Sequence, residues 1–351
     1  MSKRPLLVLV GGFLGAGKTT LILKAAQILQ RRGERVAIVT NDQDAGLVDT
    51  EYARARGLPT DEVAGGCFCC RFSDFVAASE ALRVHEPDVI FAEPVGSCVD
   101  LSATILQPLK ALYGSEYRLA PLTVLIDPAT ARQVAAREAN GDVQYLVEKQ
   151  LAEADLICVT KQDLYPDPEP FSFPVDFTVS AATGAGVERW LAEVMTTTRV
   201  VGAKLLDIDY QRYAEAEAAL GWLNLHASLE MKEPVTPAMV CGPLLERLQQ
   251  TLSNAGIRIA HLKMFDRSAT GWIKAGVVAN GDEAWPEGDL LAEPTREHQL
   301  AVNLRAIGDP KQLKSILDQA ISELGGTVTV NHASAFRPAP PKPEHRFSTS
   351  L

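Results

Sequence analysis

Residues Val8–Thr20, VLVGGFLGAGKTT, constrain this chain more than any other stretch. An apolar strand runs into a glycine-rich turn and then into the start of a helix. Gly12-Phe13-Leu14-Gly15-Ala16-Gly17-Lys18-Thr19 fits GxxxxGK[ST], the phosphate-binding P-loop. Glycines let the backbone curl so that successive N–H groups converge on phosphate oxygens. The following helix adds the positive end of its dipole. Lys18 is placed to reach the outer phosphates, and the Thr19 hydroxyl to ligate Mg²⁺. Gly12, Gly15, Ala16, Gly17 and Thr20 complete the expected cradle. A turn of this kind belongs to an α/β fold with a mostly parallel, doubly wound sheet.

The chain has 351 residues, enough for two domains with separate cores. Its formal net charge of −10 disfavours a general nucleic-acid binder, which needs clustered Lys and Arg. No apolar run approaches the ~20 residues of a membrane span. The apolar start, Leu6–Val10, is too short for a secretory signal and leads straight into the P-loop. The expected location is therefore the cytoplasm. Six cysteines in a chain of this size do not form a disulfide framework. Three of them lie within four residues, which points to metal or redox chemistry.

A helix is expected from about Lys18 to Arg32, ending near Gly33, and a strand over Arg35–Thr40. Asn41-Asp42-Gln43-Asp44 follows at the strand's carboxyl end, then Asp49. Ligand chemistry gathers at such ends, so these carboxylates are expected near the nucleotide or a cation, with Asp42 a candidate Mg²⁺ ligand. Next comes Gly65-Gly66-Cys67-Phe68-Cys69-Cys70. Soft sulfur ligands select Zn²⁺ or a similar late transition metal over Mg²⁺. Cys67, Cys69 and Cys70 leave one corner of a tetrahedron for a carboxylate, an imidazole, water or a partner's ligand. A redox dithiol and inert buried cysteines are the competing readings; strain in an adjacent Cys69–Cys70 disulfide argues against the first.

A helix over about Ser73–His85, capped by Ser73 or Asp74, leads to strand Asp88–Ala92. Glu93 at its tip sits where a P-loop protein contacts Mg²⁺, and Gly96 would let a backbone N–H approach the γ-phosphate. After strand Leu156–Val159 stands Thr160-Lys161-Gln162-Asp163, a guanine-reading [NT]KxD tetrad. Asp163 would accept two hydrogen bonds from guanine, a donor pair adenine lacks. The Lys161 stem would lie over the base, and the backbone at Ser180-Ala181 would close the pocket. Domain boundaries are placed at 1–197 for the nucleotide-binding domain, 198–217 for a linker and 218–336 for a smaller α+β domain. The second domain reads as a ferredoxin-like βαββαβ with one added strand, His226 and His332 falling on neighbouring strands. The proline-rich tail, 337–351, is expected to be extended or disordered.

With these residues in place, the chain resembles the CobW-type metallochaperone GTPases, which are similar in turn to the nickel-insertion GTPases UreG and HypB. The resemblance covers the first domain. It rests on GGFLGAGKTT, on GGCFCC (the family's GCxCC loop), on Glu93-Pro-Val-Gly96, on TKQD and on the run Gln150–Ile157. It implies GTP hydrolysis coupled to holding or handing over Zn²⁺ or Co²⁺, with the thiolate loop beside the nucleotide. By matching position, Cys67, Cys69 and Cys70 would supply metal sulfurs. Lys18, Thr19, Glu93 and Gly96 would serve the phosphates and Mg²⁺, and Lys161 and Asp163 the guanine. The family's Asn-Glu-Phe-Gly switch stands here as Asn41-Asp42-Gln43-Asp44, one methylene shorter at the acid. The family's histidine-rich stretch is missing, which argues against metal storage.

Two functional readings stay open at this point. One is a slow GTPase that moves metal to a client apo-metalloprotein; no cis arginine finger or positioning glutamine is evident. Homo-oligomerisation is compatible with it. The other is a nucleotide-gated protein-interaction module in which the cysteines hold a structural ion that never leaves. A P-loop kinase is disfavoured by the guanine tetrad.

Overall fold

The computed structural model describes residues 4–166, 170–196, 198–284 and 286–351. The chain divides into two compact units: residues 1–45, 57–216 and 340–351 form the first, and 46–56 and 217–339 the second.

The first unit is an α/β sandwich. In chain order it carries β1 (Leu6–Gly12), α1 (Lys18–Arg31) and β2 (Val36–Asn41). After an excursion, α2 (Val48–Ala55), which belongs to the second unit, come β3 (Thr60–Val63), α3 (Phe72–Ala81) and β4 (Val89–Glu93). A π-helical turn, Ser102–Leu106, runs into α4 (Gln107–Tyr113). The short β5 (Arg118–Leu119), β6 (Thr123–Ile126), α5 (Pro128–Ala135), α6 (Gly141–Glu153), β7 (Leu156–Val159), β8 (Phe177–Thr178) and α7 (Val187–Thr196) follow. Helix α8 (Tyr210–Ala218) closes this half of the chain.

The sheet order is β3-β2-β4-β1-β6-β7-β8, with every pairing parallel and β5 alongside β1. A parallel sheet must be covered on both faces, which is why β1, β2, β4, β6 and β7 are continuously buried rather than alternating. Strand β1 lies centrally, between β4 and β6, so the P-loop emerges where the strand order reverses.

The second unit contains β9 (Gly221–Val235), α9 (Pro237–Asn254), β10 (Arg258–Arg267), β11 (Trp272–Val277), β12 (Glu287–Gly288), β13 (Thr295–Ile307), α10 (Pro310–Ser322) and β14 (Gly326–Phe336). Its antiparallel order, β12-β11-β10-β13-β9-β14, contains the ferredoxin-like arrangement β14-β9-β13-β10, with β11 and the two-residue β12 added at the β10 edge. One face buries Leu223, Leu225, Leu229, Val302 and Leu304 with the apolar stripes of α9 and α10. His332 pairs directly with His226, as their neighbouring strands imply.

The other face of this sheet is unusually polar, and helix α2 explains it. Asn303 accepts the Val48 N–H at 2.8 Å. His226 Nε2 lies 2.6 Å from the Gly46 carbonyl. Lys263 Nζ donates to both oxygens of Asp49, at 2.8 and 2.7 Å. Tyr52 packs edge-on against Trp272, and Arg56 pairs with Glu287. Asp49 is therefore not a ligand near the nucleotide, as its position behind β2 suggests. It is an ion-pair anchor inside the second unit. Burial works against its charge, but Lys263, Lys274 and His261 outweigh it and hold the carboxyl far below the ordinary range.

Three other expectations change. Helix α3 begins at Phe72 after Arg71, with no side-chain cap, so neither Ser73 nor Asp74 caps it. The segment read as a linker is packed: Gly202 accepts from Gln107, Tyr213 is fully buried, and the units divide after Ala216. The tail, expected to be extended or disordered, has no helix or strand, yet residues 340–351 belong to the first unit, with Arg346 on Asp100 and the Leu351 N–H on Gln107. The sequence boundary at 197 and the start at residues 1–3 lie outside the described residues.

Asp49→Ala removes the anchor and strands Lys263, so urea unfolding of the second unit is expected to lose about 3 kcal/mol. The wild-type advantage is complete above the unfolded carboxyl pKa, about 3.9, and disappears as pH falls through the depressed native value. A loss below about 0.5 kcal/mol at neutral pH would mean that the pair holds nothing in place.

Candidate functional site

The P-loop needs its glycines for two separate reasons. Gly12, Gly15 and Gly17 all have left-handed or otherwise positive φ, at 130°, 78° and 89°. A Cβ on Gly12 would also fall 2.4 Å from the Leu125 carbonyl oxygen of the adjacent strand. Gly17 is the residue before α1, and no side chain caps the helix there. The first-turn amides thus face the turn without a built-in acceptor from Gly17. Lys18 is buried, its ammonium donating to the Gly12 and Phe13 carbonyls at 2.9 and 3.3 Å. Ala16 is buried, and Gly15, Gly17 and Thr20 are half-buried.

Thr19 and Glu93 meet. The Thr19 hydroxyl donates to Glu93 Oε1 at 2.9 Å, both side chains being buried. Gly96, further along the loop after β4, approaches so closely that a Cβ there would sit 3.1 Å from Lys18 Nζ and from the Leu14 nitrogen. A hydroxyl, a carboxylate, an ammonium and a bare glycine backbone therefore converge at the P-loop. This donor set fits a phosphate chain and a hard cation.

The tetrad Thr160–Asp163 joins the same loop. Thr160 Oγ1 donates to the Ala16 carbonyl at 2.9 Å. Lys161 holds a left-handed φ of 56°, unusual for a residue with a long side chain. Asp163 is exposed, while Ser180 is buried and receives the Thr183 N–H on its hydroxyl. Ala181 is half-buried beside it. The Gln162 N–H bonds the Val179 carbonyl, tying the tetrad to the Ser180-Ala181 segment.

The cysteine loop closes into one cluster. Cys67 Sγ lies 2.9 Å from Cys69 Sγ and 3.3 Å from Cys70 Sγ, and Cys69 and Cys70 are 3.7 Å apart. Cys67 and Cys69 are buried and Cys70 is half-buried. Among the described residues these are the one group of three or more metal-capable side chains brought together. Side-chain contacts with Cys69, Cys70 and Cys98 hold the Cys67 thiol well below its ordinary range. The same contact with Cys67, added to burial, pushes Cys69 up, and carries Cys70 up to about 12. The three thiols thus hold their protons unequally. A metal ion binding here displaces those protons, which makes its affinity fall in acid. Three sulfurs at this spacing fit Zn²⁺ or Co²⁺ far better than a hard cation.

Three supports of this loop carry no signal that sequence reasoning used. Asn41, at the tip of β2, donates to the Val63 and Gly66 carbonyls at 2.9 and 2.8 Å and accepts the Phe68 N–H at 2.7 Å. Asp42 Oδ1 accepts the N–H of Gln43, its backbone N–H bonds Val63, and its carbonyl accepts the Gly66 N–H at 3.4 Å. The tail crosses the loop, with the Lys342 N–H on Cys70 Sγ at 3.0 Å and the Glu344 N–H on the Cys69 carbonyl at 2.9 Å. Glu344 also takes the Ser73 N–H and hydroxyl at the start of α3.

Comparison with known proteins places these features in company. The CobW/HypB/UreG nucleotide-binding domain matches residues 6–172. The zinc chaperone CobW of a Sinorhizobium species is 29% identical over 185 residues, covering 44% of this chain and 50% of that protein. The urease accessory protein UreG of Ureaplasma parvum is 32% identical over 180 residues, covering 47% of this chain and 75% of that protein. The Escherichia coli zinc chaperone YeiR is 30% identical over 165 residues, covering 44% of this chain and 46% of that protein. The chain thus spans about half the length of the two zinc chaperones it matches. Among solved structures, HypB from Helicobacter pylori in complex with nickel aligns at 14% identity over 56% of this chain and 92% of that one, with a TM-score of 0.39. No helix among the described residues is long and apolar enough to cross a membrane.

Asn41→Leu keeps the volume of the side chain and deletes all three grips on the thiolate loop. Zn²⁺ affinity, read by competition with a chromophoric chelator, is expected to fall about 10–100-fold with all cysteines intact. An affinity within about threefold of wild type would show that the loop holds its shape without Asn41.

Proposed function

The chain belongs to the CobW/HypB/UreG family through its nucleotide-binding domain, and on that premise we propose that it is a GTP-hydrolysing metallochaperone. Its cargo is Zn²⁺ or Co²⁺, held by Cys67, Cys69 and Cys70 and passed to a client apo-metalloprotein in the cytoplasm. The observation that carries this reading is the stitching of the thiolate loop to the tip of β2 by Asn41, on the same sheet whose β1 and β4 tips supply Lys18, Thr19 and Glu93. Residues set to surround the phosphates and the residue that shapes the cysteine loop leave from the tips of the neighbouring strands β1, β4 and β2, so an ion and a triphosphate compete for or share one arrangement of loops.

In this proposal Lys161 and Asp163 select guanine, Thr19 and Glu93 hold Mg²⁺, and Lys18 with the Gly96 N–H faces the outer phosphates. Bound Mg²⁺ neutralises charge developing on the phosphate oxygens. Two relatives, the zinc chaperones CobW and YeiR, support zinc as the ion. Turnover is slow on this reading, since no arginine of the chain is assigned to the transferred phosphate.

A Zn²⁺ and Co²⁺ titration with GDP, with a non-hydrolysable GTP analogue and without nucleotide tests the coupling. The expected difference in metal affinity between nucleotide states is about 5–150-fold, with an equal effect of metal on nucleotide affinity. Cys67→Ala should abolish both effects while still binding GTP. Identical metal affinity in all three states, or a Cys67→Ala titration matching wild type, would overturn the proposal. An ion that forms but resists chelators for hours supports the structural-ion alternative instead. For the base, Asp163→Ala should cut the preference for GTP over ATP by about 10–100-fold. Equal loss for both nucleotides would mean that Asp163 does not read guanine.

A further inference from the structure

The tail returns to the cysteine loop, and its composition suits it to that place. Along 341–347 the odd-numbered residues, Pro341, Pro343, His345 and Phe347, are buried or half-buried, while Lys342, Glu344 and Arg346 between them are exposed. This alternation gives the segment one inner and one outer face. Proline has no N–H, so the backbone donors of 341–344 belong to Lys342 and Glu344 alone. Both go to the cysteine loop: the Lys342 N–H reaches Cys70 Sγ at 3.0 Å, and the Glu344 N–H the Cys69 carbonyl at 2.9 Å. The prolines also restrict the free tail, which lessens the entropy lost when it settles.

The next contact supplies what α3 lacks. The residue before that helix, Arg71, makes no side-chain cap bond. Glu344 fills the role from the tail: its carboxylate accepts the Ser73 N–H at 3.1 Å and the Ser73 hydroxyl at 2.6 Å, at the positive end of the helix. His345 packs edge-on against Phe72, with ring centroids 5.1 Å apart. Further on, Arg346 donates to Asp100 Oδ2 at 2.7 Å and to the Leu206 carbonyl at 2.9 Å, and the Phe347 N–H to the Ala103 carbonyl at 3.0 Å.

What the segment crosses is the outward side of the sulfur cluster. Cys67 and Cys69 are 1% and 2% exposed, and Cys70 is the half-buried member. An ion, a chelator or an acceptor's ligand arriving from solvent therefore meets the loop at Cys70, where the Lys342 N–H already sits. The two charged anchors, Glu344 and Arg346, belong to exposed residues, and solvent weakens such contacts. The segment is held at several points, none of them strong alone, which is the construction of a part that lifts and reseats.

We propose that residues 341–347 are a strap over the cysteine loop, and that an ion enters or leaves when the strap lifts. This rests on the reading of the trio as a metal site and names its regulation. Closed, the strap slows exchange in both directions; open, it uncovers Cys70 for handing the ion on. It changes rates far more than equilibrium affinity, because it bars entry and exit alike. A tail that only staples the first unit together would lower stability without uncovering Cys70 in particular.

The test uses the full chain carrying Glu344→Ala and Arg346→Ala together. In the metal-free protein, alkylation by iodoacetamide is followed peptide by peptide with mass spectrometry. Cys70 should react at least about tenfold faster than in wild type, while Cys158, buried in β7, keeps its wild-type rate and reports opening of the whole unit. With Zn²⁺ loaded, transfer to a chromophoric chelator should accelerate at least about tenfold, with equilibrium affinity within about threefold of wild type. Unchanged alkylation of Cys70, an equal rise at Cys158, or transfer that quickens only in proportion to lost affinity overturns the strap and leaves the three-cysteine site standing. Wild type that takes up no Zn²⁺ overturns the metal reading, and the gating of an ion with it.

Discussion

The hydrogen bond from the Thr19 hydroxyl to Glu93, 2.9 Å long and buried, joins the first turn of α1 to the carboxyl end of β4. Everything chemical in the first unit hangs from that line of strand tips. Because β1, β2 and β4 are parallel neighbours, their tips lie side by side, and three different loops leave from one edge. The P-loop leaves β1, the Asn41-Asp42 turn leaves β2 and the Glu93–Cys98 loop leaves β4. In a buried, low-dielectric setting each polar side chain here needs a partner, so the partners become the framework. Thr19 finds Glu93, Thr160 finds the Ala16 carbonyl, and Asn41 finds three groups of the cysteine loop.

That economy has a consequence for metal chemistry. The cysteine loop contains two glycines, at 65 and 66, both with positive φ, and such a stretch has little intrinsic shape. Its form is imposed from outside, by Asn41 on one side and by the tail at Lys342 and Glu344 on the other. Backbone N–H groups that point at sulfur stabilise thiolate over thiol, and the Lys342 N–H does this for Cys70, against the opposing pull of Cys67 and burial. A loop shaped by its neighbours changes when they move. A rigid, self-supporting zinc knot would not.

Much of this was legible in the sequence, and the reasons are physical. The P-loop, Glu93, Gly96 and the cysteine run could be read because their chemistry depends on short-range spacing along the chain. Strand order in the second unit could be read because helix and strand periods alternate cleanly there. The supports were hidden because they are long-range. Lys263 reaches Asp49 across 214 positions, and Lys342 reaches Cys70 across 272. Prolines in the tail argued against helix and sheet, but nothing in them says what the tail is bonded to. Gln150 was visible within a family-like run, without any hint that its amide holds both Gly96 and Cys98.

Helix α2 adds a constraint of another kind. Residues 46–56 belong to the second unit, while 45 and 57 belong to the first. The chain leaves the Asp42–Asp44 turn, enters the second unit at Gly46 and is at once fastened there by His226, Asn303 and the Asp49–Lys263 pair. Gly46 itself admits no side chain, since a Cβ would fall 2.2 Å from His226 Nε2. An extended chain spans at most ~3.6 Å per residue, so the few residues from Asp42 to Gly46 offer little slack. Releasing α2 would break a buried ion pair and strand several polar groups, at a cost of several kcal/mol. Rearrangement of the turn after β2 is therefore confined to residues 42–45 unless the second unit moves with it. The position of Asp49 in the sequence, so close behind the switch, reflects this tether and not a ligand of the nucleotide's cation.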